Sequence, residues 1–421
     1  MQDHPDIQKL YRARWIVPVC SPIVHNGVVR IADTRVISIE PFVGQSGVID
    51  LGDVAILPAL VNAHTHLEFS DLEQPIGHRG ISIAAWLPEV LRQRRQLNSS
   101  QTDRLAAIER GIVESRNCGV QLLGEIATKP WSADAVSAIV RTHQMSDSVA
   151  SEPLKSIDLS IVAFCEVLGL APQRQSELLD WTDQQLQHRK LSNVQWGISP
   201  HSPYTVPAAL LSACLDRAAK QRLPVAMHIA ESLEEREFVE QGTGPLRDAF
   251  ESLGLPGLDQ FPSETSIRQI IERLTKASRG LVIHGNYLTD EEIEAVAEHR
   301  ERLSVVYCPR THAHFDHRPH PVRKLLDVGI RVALGTDSRA SNPDLNVWNE
   351  VRHLLRHRSD LHPEEVVSMV TMQGADALGH PQAGRLQTGS SSGLFLLRTD
   401  ASSESQFWER LGDAATVHTN D

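Results

Sequence analysis

The sequence predicts an α/β fold in which a (β/α)8 barrel of the TIM type carries a small β-sandwich domain formed by both ends of the chain. The first observation is that short apolar runs alternate with longer amphipathic stretches over most of the sequence. The second is that these runs are apolar throughout, which is typical of strands covered by helices on both faces. The third is that eight such runs occur, the number that a TIM barrel requires.

Each predicted barrel strand is one of these runs. They cover residues 54–61, 119–125, 159–166, 194–199, 223–228, 280–284, 303–308 and 330–336. Amphipathic stretches such as SQTDRLAAIERGIVESRNCG and TDEEIEAVAEH lie between them and predict helices. A doubly wound open sheet is the alternative architecture, but no Gly-rich phosphate-binding sequence follows any of the runs. The barrel is therefore the favoured interpretation.

The two ends of the chain differ from this pattern. Near the N-terminus, short segments of alternating apolar and polar residues are bounded by Gly, Asp and Pro, which predicts strands. The segment GRLQTGSSSGLFLLR near the C-terminus has a similar character. We therefore expect residues 1–55 and 381–421 to form the small β-domain and residues 56–380 to form the barrel. The Gly-, Pro- and Ser-rich segment 242–278 predicts an elaborated loop with helices.

Composition and charge restrict the class of protein. Of the 421 residues, 41% are hydrophobic and 22% are charged, an ordinary balance for a globular protein. The net charge of -12 would repel a phosphate backbone, so we expect no nucleic-acid partner. No run approaches the length of about 20 apolar residues that spans a bilayer, and no signal-peptide pattern is present. The five cysteines show no disulfide or metal spacing. We expect a cytoplasmic protein that acts on a small molecule.

Histidine and acidic residues stand where several predicted strands end, and barrel enzymes place their chemistry at these carboxyl ends. The first strand leads into His64 and His66, which point the same way on an extended chain. The fifth strand ends at His228, the sixth at His284, and Asp337 follows the eighth. One such residue alone is more often a packing residue or a helix cap. Their joint occurrence at four strand ends predicts a common site.

The residue types in this set predict metal chemistry. Three imidazoles and a carboxylate suit Zn²⁺ or Fe²⁺ and leave room for a water molecule. The metal lowers the pKa of that water, so that hydroxide is available near neutral pH. Glu231 follows His228 by three residues and is placed to move a proton between the water and a ring nitrogen of the substrate.

The segments that contain these residues resemble the ordered motifs of the amidohydrolase superfamily. They are LPALVNAHTHLEFS, SPHSPYTV, AMHIAES, VIHGNYLTDEEI, YCPRT and VALGTDSRASN. The branch to which they are most similar contains cytosine, guanine, S-adenosylhomocysteine and aminodeoxyfutalosine deaminases together with triazine chlorohydrolases. The motif set is highly specific for the superfamily and its fold, and much less so for the substrate.

The resemblance implies a site for one divalent metal ion, with Zn²⁺ favoured and Fe²⁺ as the alternative. The binuclear branches have a lysine at the end of the fourth strand that becomes carboxylated. This chain has Ser199-Pro200-His201 there instead, which supports one metal ion. The implied ligands are His64, His66, His228 and Asp337.

The resemblance also implies catalytic roles. Asp337 would orient and deprotonate the water, and His284 would hydrogen-bond the water or the tetrahedral intermediate. Glu231 would protonate the ring nitrogen and help the amine to leave. His201 is either a substrate contact or a brace for its own loop. The habit of the family further implies a homodimer.

Two features bear on the substrate. The sequence HLEFS, with Trp86 about twenty residues later, is most similar to aminodeoxyfutalosine deaminases. Glu68 would then accept a hydrogen bond from a ribose or a ring amine, or else cap the following loop, and Trp86 would contact the substrate. The segment after the seventh strand departs from the usual Cys-Pro-x-Ser-Asn of the family. It holds four histidines that either bind a second metal or, as favoured, form an exposed polar loop or contact the substrate: His312, His314, His317 and His320.

The favoured function is a hydrolytic deaminase that releases ammonia from a purine-like ring or nucleoside, with aminodeoxyfutalosine as the favoured substrate. The first alternative is a hydrolase of the same scaffold with another leaving group, such as a chlorohydrolase or a cyclic amidase. The second is a non-catalytic structural relative. Such relatives usually lose ligands, and here every expected ligand is present.

Overall fold

The first five strands of the chain belong to the smaller of two sheets. The computed structural model of the protein describes residues 8–32, 34–97, 100–147, 158–187, 193–391 and 393–417. The first strands are β1 (Gln8–Ile16), β2 (Val24–Ala32), β3 (Arg35–Pro41), β4 (Val48–Asp50) and β5 (Val54–Pro58). β1, β2 and β3 form an antiparallel meander, and β1 pairs in parallel with β4 and β5.

The larger sheet is a parallel, nearly closed barrel of eight strands in chain order. They are β6 (Leu60–Thr65), β7 (Val120–Ala127), β8 (Ser160–Val167), β9 (Val194–Pro200), β10 (Pro224–Ile229), β11 (Arg279–His284), β12 (Leu303–Tyr307) and β13 (Arg331–Leu334). The predicted barrel is therefore confirmed.

One predicted strand is wrong, because the run 54–61 is two strands in two sheets. β5 pairs with the small sheet, and β6 begins the barrel after the chain changes sheets at Ala59. Both halves are apolar because both are fully buried, so the composition of the run gave no indication of the break. The division of the chain at residues 55/56 and 380/381 stays a prediction.

The described residues form 15 α-helices, most of which connect consecutive barrel strands, whereas the last lies near the C-terminus beyond the barrel. They are α1 (Ile83–Leu97), α2 (Gln101–Asn117), α3 (Ala133–Asp147), α4 (Pro172–Gln187), α5 (Ala208–Gln221), α6 (Leu233–Gln241), α7 (Pro245–Ser252), α8 (Ile267–Leu274), α9 (Asp290–Glu298), α10 (Pro309–His314), α11 (Val322–Asp327), α12 (Val347–His357), α13 (Pro363–Met369), α14 (Met372–Leu378) and α15 (Glu404–Arg410). Short 3-10 helices lie at Leu67–Phe69, Leu258–Gln260 and Leu411–Asp413. The segment 242–278 contains α7 and α8, as predicted. No helix in the described part of the chain is long and apolar enough to cross a membrane.

The end of the chain returns to the small sheet. β14 (Leu394–Arg398) pairs antiparallel with β5, which confirms that both ends contribute to the small domain. This domain has its own apolar core, which includes Tyr11, Val29, Ile56 and Leu396. A separate core fills the inside of the barrel and includes Val162, Phe164, Ala226, Ile283 and Val306.

The barrel closes between its first and last strands, directly at the candidate site. The side-chain amide of Asn62 donates to Thr336 Oγ1 (2.8 Å), and its oxygen accepts from Thr336 N (3.0 Å). Asp337 N donates to His64 O at 3.0 Å. A Cβ at Gly335 would lie 2.8 Å from His64 Cβ, so a glycine permits the close approach. This closure brings two candidate ligands together.

Candidate metal centre and active site

The four candidate metal ligands converge at the carboxyl end of the barrel. His66 Nε2 lies 3.4 Å from His228 Nε2. Asp337 Oδ1 lies 3.5 Å from His64 Nε2 and 3.6 Å from His66 Nε2. A tetrahedral Zn²⁺ with ligands about 2.0–2.1 Å away holds its donors about 3.4 Å apart, so these separations fit the ion.

The protonation states of these side chains also suit a cation. His64 is 1% exposed, and its buried Nε2 has no hydrogen-bond partner among the residues that the structure describes. Burial lowers the pKa of His64, and burial together with the nearby His64 lowers the pKa of His66 to about 3. Burial alone would raise the pKa of Asp337, but His64 and His66 outweigh it and lower that pKa. Neutral imidazoles and an ionised carboxylate are the forms that bind a metal.

The hydroxyl of Ser341 fixes the second oxygen of Asp337, and the hydroxyl of Thr311 contacts Ser341 in turn. Ser341 Oγ donates to Asp337 Oδ2 at 2.7 Å and lies 3.0 Å from Thr311 Oγ1. Ser341 is fully buried, so its hydroxyl has no alternative partner in water. The carboxylate is therefore oriented with Oδ1 toward the histidines.

We expect the substitution Ser341→Ala to weaken the site without unfolding the protein. Loss of a hydrogen bond to a charged group costs about 1.5–3 kcal/mol, and loss of such supporting contacts lowers metal affinity about 10–100-fold. Metal affinity by competition with a chelator, and kcat on the best substrate, measure the effect. Ser252→Ala, on an exposed helix end, is the control. Unchanged values for Ser341→Ala would contradict this positioning role.

The orientation of His228 is set by its neighbour. His228 Nδ1 donates to the backbone oxygen of His201 at 2.8 Å, which leaves Nε2 for the metal. The ring of His201 is anchored at Nδ1 by Ser202 Oγ and Thr205 Oγ1, both at 2.8 Å. Its Nε2 is thus left for a ligand, and the two rings lie 5.0 Å apart between centroids.

Glu231 and His284 lie side by side next to these ligands. Glu231 Oε1 is 3.5 Å from His284 Nε2. Burial, followed by the negative charge of Asp337, raises the pKa of Glu231 to about 8. The backbone of Glu231 is clamped, because Glu235 Oε2 accepts from Glu231 N at 2.6 Å. Glu231 is therefore a buried acid with a fixed backbone, and its raised pKa favours the protonated form.

Backbone strain is concentrated around the site. Ala230, His284 and Asp337 have positive φ angles of 54°, 68° and 58°. Residues other than glycine rarely adopt this conformation, and it tends to occur where function requires a fixed geometry. Ala230 follows β10, His284 ends β11 and Asp337 follows β13. All three residues therefore lie at the carboxyl end of the barrel.

The His-rich segment after β12 is only partly exposed, so the expectation of an exposed loop is wrong for its buried histidines, whereas the expectation of substrate contacts stays a prediction. It begins as helix α10, and both His312 and His320 are buried. His320 Nε2 donates to His284 O at 2.9 Å, and its ring stacks on Tyr307 with the centroids 3.8 Å apart. The groups in the described residues that could hold a metal include none of its histidines. His320 instead supports the strained backbone of His284.

The structure surrounds the other two predicted substrate contacts with protein partners. Glu68 is buried, with Oε1 2.8 Å from Arg94 Nη2 and Oε2 3.1 Å from Arg104 Nη1. Trp86 Nε1 donates to Ala340 O at 3.1 Å, in the loop after the last barrel strand. Both oxygens of Glu68 thus form ion pairs with arginine side chains. The ring N–H of Trp86 holds that side chain to the loop after the last barrel strand.

Sequence reasoning missed two acidic side chains at strand ends. The carboxylate of Glu125, at the end of β7, accepts from Thr65 Oγ1 (2.8 Å) and from Leu67 N (3.1 Å). These partners flank His66, so Glu125 braces the first pair of histidines. Glu166, at the end of β8, is also buried. The available indication was the acidic residue that closes each of the runs GVQLLGE and LSIVAFCE.

Comparison with known proteins places this geometry in a family. Residues 55–418 match the profile of the amidohydrolase family. The aminodeoxyfutalosine deaminase of Deinococcus radiodurans is 30% identical over 334 residues, which cover 77% of this chain and 73% of that protein. A 5-methylthioadenosine/S-adenosylhomocysteine deaminase of Haloarcula marismortui is 27% identical over 84% of this chain and 75% of its own length.

Solved structures share the fold over nearly the whole chain. The Helicobacter pylori aminofutalosine deaminase in complex with methylthio-coformycin superposes with a TM-score of 0.77 at 20% identity, covering 97% of both chains. A mutant atrazine chlorohydrolase of Arthrobacter aurescens, complexed with zinc and atraton, gives a TM-score of 0.74 at 17% identity over 96% of this chain and 91% of that one. The family match, the barrel and the converging ligands agree: this chain belongs to the amidohydrolase family.

Proposed function

We propose that this protein is a hydrolytic deaminase that releases ammonia from a purine ring or purine nucleoside. The observation that carries the proposal is the position of Glu231, a buried carboxylic acid with its pKa raised to about 8, beside His284 and the candidate metal ligands. Loss of ammonia from an aromatic ring needs a group that protonates the ring nitrogen at neutral pH, and a carboxylic acid of this kind supplies the proton.

We propose one Zn²⁺ as the cofactor, with Fe²⁺ as the alternative. The proposed ligands are His64, His66, His228 and Asp337. The structure groups His64 with His66 and Asp337, and also with His228 and His284. The donor separations given above fit the ion, and we keep His284 as a hydrogen-bonding residue. When bound, a divalent ion lowers the pKa of water and makes hydroxide available near neutral pH.

The protein's own side chains supply the proton transfers. Asp337, held by Ser341, accepts a proton from the attacking water. Glu231 gives its proton to the ring nitrogen as the oxygen adds to the ring carbon, and Asp337 then returns a proton to the amino group. His284 holds the incoming oxygen by a hydrogen bond. The carbon–nitrogen bond breaks and ammonia leaves. The added oxygen gives its remaining proton back to Glu231, so the ring takes its oxo form with a proton on the ring nitrogen, and Glu231 is again the protonated acid.

The proposed contacts with the ring come from the rim of the barrel. His201, with Nδ1 anchored and Nε2 open, hydrogen-bonds the ring, and Trp86 covers one face of it. We assign Glu68 a positioning role, because its two oxygens form ion pairs with Arg94 and Arg104, although Oε2 has no hydrogen-bond partner among the described residues. The names of the relatives favour purine nucleosides, and aminodeoxyfutalosine is the favoured member of this class.

Ammonia release from a substrate panel tests the proposal. The metal-quantified protein is incubated with aminopurines, their nucleosides, 5-methylthioadenosine, aminodeoxyfutalosine, a chlorinated triazine and a cyclic amide. Ammonia from a purine member supports the deaminase. Chloride release from the triazine, or ring opening of a cyclic amide, without ammonia from any purine would contradict it and favour the alternative leaving groups.

A further inference from the structure

The proposed mechanism needs Asp337 in one fixed orientation, yet the backbone of this residue is strained. Its φ angle is 58°, a left-handed conformation that residues other than glycine rarely adopt. Such a conformation persists only where the surrounding structure holds it. The hydroxyl of Ser341 fixes the side chain of Asp337 but not its backbone. A separate group must therefore hold this turn.

The peptide bond that precedes Asp337 is held on both sides. On one side, Asp337 N donates to His64 O at 3.0 Å. On the other side, the carbonyl oxygen of Thr336 accepts a hydrogen bond from Asn342 Nδ2 at 2.7 Å, whereas Thr311 Oγ1 approaches the same oxygen only to 3.4 Å. Asn342 is fully buried, so solvent water cannot replace its amide as the donor. This amide therefore fixes the peptide plane from which Asp337 extends.

Asn342 is itself anchored on helix α12. Its Nδ2 also donates to Oε1 of Glu350, at 2.8 Å. Glu350 lies on α12 and is fully buried. Both of its oxygens accept hydrogen bonds from Arg310, Oε1 from Nε at 2.6 Å and Oε2 from the backbone N at 2.8 Å. The side chain of Asn342 thus connects a fixed carboxylate to the turn at Asp337.

The carboxylate of Glu350 keeps its other partner if Asn342 is removed. The guanidinium of Arg310 is paired with Glu350 and also with Asp344, through Nη1 at 2.9 Å and Nη2 at 2.6 Å. These ion pairs do not involve Asn342. A change of Asn342 therefore releases the turn at Asp337 and leaves the buried ion pair intact.

We propose that Asn342, anchored by Glu350, is a positioning residue that holds Asp337 in its left-handed conformation and keeps its carboxylate directed at the metal site. This inference rests on the proposed metal centre. Without the amide, the peptide plane can rotate, the strain at Asp337 is relieved, and the carboxylate turns away from the histidines. Metal affinity and kcat should both fall, because Asp337 is a proposed ligand and the proposed base.

Asn342→Ala and Asn193→Ala separate this role from a general contribution to stability. Asn193 is also buried and has both amide atoms bonded to Ser137, but it precedes β9 and so lies at the opposite end of the barrel. Both variants should have a lower Tm. Affinity for Zn²⁺, by competition with a chelator, should fall about 10–100-fold in Asn342→Ala and stay within about threefold of wild type in Asn193→Ala.

A saturating concentration of the ion separates positioning of the base from loss of metal. Under this condition, kcat of Asn342→Ala should fall about tenfold while KM stays within about threefold, because the interaction with the base acts in the transition state. Asn342→Ser, which keeps a shorter donor in the buried site, is the second variant. It should show the same pattern to a smaller extent.

Glu350→Gln tests the anchor. Alone, it should lower Zn²⁺ affinity about tenfold, because a neutral amide is a weaker acceptor than a carboxylate. In the Asn342→Ala background, the further loss should be less than about threefold, since the connection is already absent. Losses that add in full, or a Glu350→Gln protein that does not fold, would overturn the role assigned to Glu350.

Zn²⁺ affinities of both Asn342 variants within about threefold of wild type would overturn the positioning role of Asn342. Equal losses of affinity in Asn342→Ala and Asn193→Ala would also overturn it. The affinity measurement needs no substrate, so its result does not depend on the deaminase function. Wild-type protein that binds no Zn²⁺ would instead overturn the proposed metal centre, and a protein that releases ammonia from no purine would overturn the proposed function.

Discussion

Glu231→Gln is expected to lower kcat by about 10²–10⁴-fold, the range that a positioned general acid contributes. Glutamine keeps the shape of the side chain but has no proton to give to a ring nitrogen. The backbone clamp by Glu235 Oε2 does not depend on the side chain, so the fold around the site should persist. Metal content should stay at the wild-type level, because Glu231 is not among the proposed ligands.

Ammonia release and metal analysis on the same preparation measure both halves of this prediction. Glu240→Gln, an exposed change on the helix that follows Glu231, is the matched control and should behave as wild type. A Glu231→Gln protein that lost its metal would be inconsistent with a proton-transfer role. Full activity with the metal retained would be equally inconsistent.

His228→Ala is expected to abolish both metal binding and turnover. His228 Nε2 lies 3.4 Å from His66 Nε2, and its Nδ1 is already bonded to His201 O, so its open nitrogen is a central donor of the set. Loss of supporting contacts around metal ligands already costs about 10–100-fold in affinity, and loss of a ligand itself should exceed that. Metal per chain after dialysis against a chelator is the measurement.

His357→Ala, at an exposed position on α12, controls for the loss of any histidine. Thermal unfolding of His228→Ala with and without added Zn²⁺ gives a second readout. Wild-type protein should be stabilised by the ion because binding favours the folded state, and the variant should not. A variant that still binds one ion per chain with wild-type affinity would show that the ligand set is misassigned.

The fold was predictable because nearly every barrel strand is an uninterrupted apolar run in the sequence. Each barrel strand from β7 to β13 is an apolar run that ends at a turn, and covering on both faces explains this composition. The same property hid the break at Ala59, because β5 and β6 are buried in two different sheets. Apolar composition reports burial, not the sheet in which a strand is buried.

The candidate ligands were predictable because histidine and aspartate interrupt apolar strand ends in a recognisable order. Glu125 and Glu166 stand at equivalent places, but a lone glutamate after an apolar run has no characteristic spacing. The histidines around His320 misled for the opposite reason. A run of histidines is typical of an exposed polar loop, whereas stacking on Tyr307 and a hydrogen bond to a backbone oxygen allow His320 to be buried.

Stepwise reconstitution tests the central claim most directly, that one metal ion held by these side chains supports hydrolytic deamination. The protein is stripped with a chelator, titrated with Zn²⁺, and assayed for ammonia with the best purine of the panel. The account predicts no activity without metal and a linear rise that stops at about one ion per chain. Full ammonia release by the stripped protein, or a rise that continues to two ions per chain, would contradict it.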